Sequence, residues 1–181
     1  MMEDLSLHIL DIAENAIAAG AKRITIAVNE NEVRNLLTIR VTDNGPGIPP
    51  ADLGRAADPF FTTKGKRTGL GLPLLAQSTG QCGGNLAVTS AAGKGSRVVA
   101  RFRFRHIDRP PLTNMEGTLA VLVIGHPEID FRYRHRKDGR VFRFDSRRFL
   151  KGIGRPWETS PDLIRAVITA LRSGLESIGG T

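Results

Sequence analysis

The chain has 181 residues, 40% of them hydrophobic and 24% charged, and a formal net charge of +8. Such a length suits one well-buried domain, or a domain of about 110 residues with a smaller appendage, and the second arrangement is expected. No stretch approaches the roughly 18 apolar residues of a membrane span. The acidic start Met1-Met2-Glu3-Asp4 lacks the layout of a signal peptide, and the lone Cys82 excludes an internal disulfide, a cysteine zinc cluster and a CxxC redox pair. A cytoplasmic protein without a membrane partner is expected. The positive charge points to an anionic partner, and part of it is local, since residues 132–155 hold ten Lys/Arg against two Asp.

In chain order, Leu5 to Ala19 places apolar residues at Leu5, Ile9, Ile12, Ala13, Ala16 and Ile17, the spacing of a helix with one buried face. Asp4 or Ser6 caps it and Gly20 ends it. Arg23–Val28 and Leu36–Thr42 are β-branched-rich runs around a polar turn, an antiparallel hairpin. The breaker-dense segment Asp43-Asn44-Gly45-Pro46-Gly47-Ile48-Pro49-Pro50 is a loop, followed by a weakly helical stretch toward Ala57. Arg67-Thr68-Gly69-Leu70-Gly71-Leu72 opens a helix to about Ser78, with Pro73 in its first turn. Strands Asn85–Ser90 and Ser96–Phe104 flank the turn at Gly93.

Asp108–Asn114 is polar and proline-rich and reads as a linker, so that residues 1–107 form the main domain and residues 115–181 a small α+β region. In the latter, Thr118–Ile124 is expected as a buried strand. Asp130–Arg136 and Arg140–Phe144 form a hairpin about Lys137-Asp138-Gly139, and Ser160-Pro161-Asp162 starts an amphipathic helix. These late strands either fold apart or extend the main sheet. The expected class is α+β, a two-layer α/β sandwich with helices on one face of an antiparallel or mixed sheet and a small C-terminal α+β extension.

Taken singly, each glycine loop reads equally well as a plain turn. Their order is more informative. Asp11-Ile12-Ala13-Glu14-Asn15-Ala16, Asp43-Asn44-Gly45-Pro46-Gly47-Ile48, Asp58-Pro59-Phe60-Phe61-Thr62-Thr63-Lys64, Thr68-Gly69-Leu70-Gly71-Leu72 and Gly93-Lys94-Gly95-Ser96 follow one another across Leu5 to Phe104. In that order and spacing the chain resembles the GHKL superfamily, which groups DNA gyrase, heat-shock chaperone ATPases, sensor histidine kinases, mismatch-repair ATPases and anti-sigma-factor kinases. The resemblance implies a Bergerat-type sandwich that binds ATP with Mg2+.

Residue by residue, the resemblance implies that Asn15 supplies an oxygen to magnesium, a hard ion suited to few protein ligands. Asp11, one turn earlier on the same helix face, stands where hydrolysing and serine-phosphorylating members carry a general-base glutamate. Its shorter side chain is a departure that leaves a surface acid as the alternative. Asp43 would accept a hydrogen bond from the adenine amino group, Gly45 and Gly47 would let backbone approach the base, and Ser96 would share a water with Asp43. Thr68, Gly69, Leu70, Gly71 and Leu72 would cradle phosphates at a helix N-terminus, and Lys64, with Lys66 and Arg67, would reach them; a solvated basic loop is the plain alternative. Phe60 and Phe61 read equally well as packing beneath the lid. Cys82 fills space, and His8 is more readily a buried or capping histidine than a phosphoacceptor.

Only a short segment precedes the first box, so the chain is expected to lack its own phosphoacceptor domain. The pattern Asp130-Phe131-Arg132-Tyr133-Arg134-His135 with Asp138-Gly139-Arg140 resembles, more loosely, stand-alone ATP-binding proteins associated with iron-only hydrogenase genes. Two readings stay open: a regulatory kinase or phosphotransfer protein acting on a separate protein partner, and an ATP-operated switch or accessory protein with little catalysis. A homodimer is compatible with either. Nucleic-acid binding through Arg132, Arg134, Arg136, Lys137, Arg140 and Arg143 ranks behind both, because alternating arginines on a hairpin are most often its solvent face.

Overall fold

A computed structural model of the chain describes residues 4–48, 71–153 and 160–179. Its elements are α1 (Leu5–Ala18), β1 (Arg23–Asn31), β2 (Leu36–Asp43), α2 (Gly71–Gln81), β3 (Asn85–Ala91), β4 (Gly95–Arg103), α3 (Met115–Gly125), β5 (Asp130–Lys137), β6 (Arg140–Asp145), α4 (Ser146–Ile153) and α5 (Pro161–Ser177). The weakly helical stretch expected toward Ala57 lies outside the described residues.

Local chemistry accounts for most boundaries. The Asp4 carboxylate accepts from the Ser6 N–H at 2.8 Å and starts α1, and Gly20, at φ +95°, closes it. Pro73 is the third described residue of α2. Asp138 and Gly139 both take positive φ, the requirement of a two-residue turn matched to strand twist, and join β5 to β6. Ser160 caps α5, its hydroxyl oxygen accepting from Leu163 N–H at 3.2 Å, with Pro161 next.

The six strands form one mixed sheet in the order β3-β4-β2-β1-β5-β6. Only β1 and β5 run parallel, with Arg23 opposite Asp130 and Glu30 opposite Lys137. The late hairpin therefore extends the main sheet, one of the two arrangements its sequence left open. Ile24, Ile26 and Val28 align with Phe131, Tyr133 and His135, all buried on one face. That face carries the helices: α1 contacts β1, β2, α2 and α3, and α5 contacts α3 and β6. Burial of Leu5, Ile9, Phe102, Leu119, Phe131 and Leu171 in a single cluster joins both halves of the chain in one core.

Residues 118–124 are helical and not the expected strand. Thr-Leu-Ala-Val-Leu-Val-Ile is apolar on every side, so periodicity does not separate a buried strand from a buried helix. Here Leu119 and Leu122 are buried between α1 and α5, and Glu116 supplies an acid to the first turn. Helix α4 was not singled out in the sequence; the buried Ser146 hydroxyl at its start accepts from Phe131 N–H at 2.9 Å.

Candidate nucleotide site

Along α1 the buried positions are Leu5, Ser6, His8, Ile9, Ile12, Ala13 and Ala16. Packing of that face against the sheet turns Asp11 and Asn15 outward, one turn apart, and both are exposed. Asp11 faces α2: a Cβ added to Gly71 would lie 3.3 Å from Asp11 Cβ and 3.4 Å from its Oδ2. The Asp11 carboxylate thus stands against the first described residue of that helix, with the Asn15 carboxamide one turn further along α1.

Asp43 ends β2, and its Oδ1 accepts from Gly45 N–H at 2.7 Å, so the carboxylate is oriented by its own loop. Thr42 pairs with Arg97, and the same register puts Ser96 beside Asp43. The two loops at this end of the sheet interlock. Gly93 N–H donates to Pro46 O at 2.7 Å, and Ile48 N–H to Ser90 Oγ at 2.7 Å. The Ser90 hydroxyl donates to Gly95 O at 2.9 Å and lies 3.0 Å from Ser96 Oγ. Asn44 Oδ1 accepts from Lys22 and Arg23 N–H at 2.9 and 2.7 Å, fixing the loop to the start of β1.

Two glycines are required by contact as well as by φ. At Gly47 (φ +74°) a Cβ would lie 2.2 Å from Ala91 O, and at Gly95 (φ +78°) 2.1 Å from Asp43 O. Backbones meet there without room for a side chain.

The structure therefore brings together Asp11 and Gly71, with Asn15 one turn from Asp11 on α1, and gathers Asp43, Gly45, Gly47 and Ser96 in the interlocked loops. Leu72 is half-buried and packs against the core. Lys64, Thr68, Gly69 and Leu70, with Lys66, Arg67, Phe60 and Phe61, lie outside the described residues. Sequence reasoning passed over Ser90 and Asn44, whose roles depend on cross-strand pairing; Asn44 had a local signal, a turn-forming residue beside the glycines. His8 and Cys82 are buried, as their alternatives required, and burial raises the Cys82 thiol above its usual pKa.

Asn15 offers a neutral oxygen donor at the surface, which fits a magnesium ion that draws its remaining ligands from phosphates and water. Among the described residues no group of three His, Cys, Asp or Glu side chains is placed to hold a metal by itself. Nor is any described helix long and apolar enough to cross a membrane.

Known proteins resemble this arrangement. Sensor histidine kinase ZraS of Escherichia coli O157:H7 is 39% identical over 93 residues, 51% of this chain and 20% of that protein. Sporulation kinase C of Bacillus subtilis (strain 168) is 36% identical over 87 residues, 48% of this chain and 20% of its own length. The chain thus spans about a fifth of the curated relatives it matches. Among solved structures, the N-terminal domain of a DNA repair protein superposes with a TM-score of 0.58 at 16% identity, covering 95% of this chain and 58% of that one, a likeness of fold alone. The model of the histidine kinase-, DNA gyrase B- and HSP90-like ATPases matches residues 3–106, more than half of the chain, and the protein belongs to that family.

Proposed function

We propose that the chain binds magnesium-ATP at this end of the sheet and transfers the γ-phosphate to a residue of a separate protein. Supporting this reading above all is the approach of Asp11 to Gly71, which sets a candidate proton acceptor against the glycine segment that the resemblance assigns to the phosphates. Asp43 accepts a hydrogen bond from the adenine amino group. Gly47 and Gly95 let the two loops meet beside Asp43, and Ser96 completes the polar wall there. Magnesium, when bound, offsets the charge of the phosphate oxygens, and Asn15 is the residue to hold it. For a hydroxyl acceptor, Asp11 takes the proton as the acceptor oxygen bonds to the γ-phosphorus and the bond to the bridging oxygen breaks, releasing ADP.

Calorimetry with magnesium-ATP on the whole chain and on Asp43→Asn tests the capture step, with ADP formation followed in the same samples. Binding by the parent, weakened at least tenfold in the variant, is expected. No heat from the parent, or equal affinity in both, would sink the assignment. Asp11→Asn then bears on the chemistry: with water standing in for the acceptor hydroxyl, retained binding with lost ADP formation is expected. Because Asp11 is one methylene shorter than the glutamate of hydrolysing relatives, a second reading has nucleotide act only as a conformational switch; parent and Asp11→Asn proteins that bind equally and form no ADP support it.

A further inference from the structure

The sheet face opposite the helices carries an ordered array of arginines. Strand pairing lines them up in rows. Arg40, Ala27, Arg134 and Arg143 form one row across β2, β1, β5 and β6, and Arg101, Thr38, Asn29 and Arg136 form the next across β4, β2, β1 and β5. Arg97 and Arg132 take the same face one row away, beside Thr42 and Thr25. Arg132 is neutralised by Asp130 at 3.2 Å, with Asp145 at 3.9 Å. Arg40, Arg97, Arg101, Arg134, Arg136 and Arg143 make no ion pair among the described residues. Between them runs a groove of about 330 Å³ that Arg40, Arg101, Arg134 and Arg136 line together with Thr38 and Asn29.

The arrangement is unfavourable for the isolated protein. Arg134 lies directly opposite Arg143, and like charges facing across a strand pair oppose sheet formation. A bound anion removes that cost. Side chains two apart on a strand are ~6.6 Å apart, and those two strands apart ~9.5 Å, so the array offers a charge to successive phosphates along and across a backbone. Arginine is the side chain whose fork matches a phosphate. The rows hold no exposed aromatic residue, which removes the stacking platform that single-stranded nucleic acid requires.

We infer that this open face is a docking surface for the phosphate backbone of duplex nucleic acid, read without regard to sequence. It lies on the opposite side of the sheet from α1 and α2, so the duplex and the nucleotide are held independently.

Fluorescence anisotropy of a labelled duplex of about 20 base pairs, titrated with the whole chain over a series of salt concentrations without ATP, provides the test. Binding whose logarithm falls with log[salt] at a slope near −4.5, about five phosphate contacts, is expected. Arg40→Gln/Arg101→Gln/Arg134→Gln should weaken binding at least tenfold and flatten the slope by about 3, while its melting temperature stays level or rises as like-charge contacts go. Arg165→Gln/Arg172→Gln, on the helix side, should leave affinity unchanged. The inference is overturned by no duplex binding at low salt, by a triple variant that binds like the parent, by equal weakening in the helix-side variant, or by polyglutamate competing as well as the duplex, which would make the face a site for acidic polypeptide.

Discussion

Gly47, Gly93 and Gly95 share nearly the same positive φ yet are not equivalent. A side chain at Gly93 meets nothing within 4 Å, whereas at Gly47 and Gly95 it runs into the carbonyls of Ala91 and Asp43. Gly93→Ala therefore carries only the left-handed backbone cost of about 1–2 kcal/mol. Gly47→Ala and Gly95→Ala add a clash that only separation of the two loops relieves. Thermal melts should rank Gly93→Ala well above the other two, and nucleotide affinity should follow the same order, because the displaced loop carries Asp43. Equal melting temperatures for all three variants would show that the loops yield freely and that the contacts do not shape the site.

At the scale of elements, the parallel junction of β1 and β5 is tied at both ends. Near one end, His135 lies between Tyr133 and Glu30, with Tyr133 Oη 2.8 Å from its Nδ1 and Glu30 Oε1 2.6 Å from its Nε2. At the other, Asp130 bridges Arg23 at 2.7 Å and Arg132 at 3.2 Å. Burial alone would raise the Asp130 pKa; hydrogen bonds and charge from the two arginines outweigh it and hold the carboxyl below its usual value. A depressed folded-state pKa adds stability that is present above the unfolded value of about 3.9 and is lost as pH falls through the folded one. Asp130→Asn should accordingly cost about 1–3 kcal/mol at neutral pH, with the gap to the parent closing in acid below the ordinary aspartate range. A gap independent of pH would assign the loss to packing. Local signals marked the caps at Asp4 and Ser160, the Asp138-Gly139 turn and the amphipathic faces of α1 and α5. The boxes at Asp11–Asn15 and Asp43–Gly47 were legible because each sits within one short segment. Helix α3 was misread because it is apolar all round, and Ser90 and the arginine rows escaped because both arise from pairing between distant strands.

Across the whole molecule, the family match ends at residue 106, yet the core does not. Helix α3 contacts α1, the helix that bears Asp11 and Asn15, and the first turn of α1 is held from beyond that boundary: Leu5 N–H donates to Pro111 O at 2.8 Å, and Thr113 hydrogen-bonds to the Asp4 cap. On the sheet, β5 covers the edge of β1 along eight paired positions, from Arg23–Asp130 to Glu30–Lys137. A chain cut after Ile107 would expose that edge and the flank of α1 against which Met115, Leu119 and Leu122 are packed. Each such buried side chain is worth about 1.5–3 kcal/mol, so losing a few matches the whole stability of an ordinary domain, about 5–15 kcal/mol. The shortened chain should lose cooperative thermal unfolding and bind no magnesium-ATP, whereas the 181-residue chain should melt in one transition that nucleotide shifts upward. A shortened chain that melts at the parent's temperature and binds ATP with the parent's affinity would instead make residues 108–181 a separable appendage, placing the linker where the proline-rich segment begins.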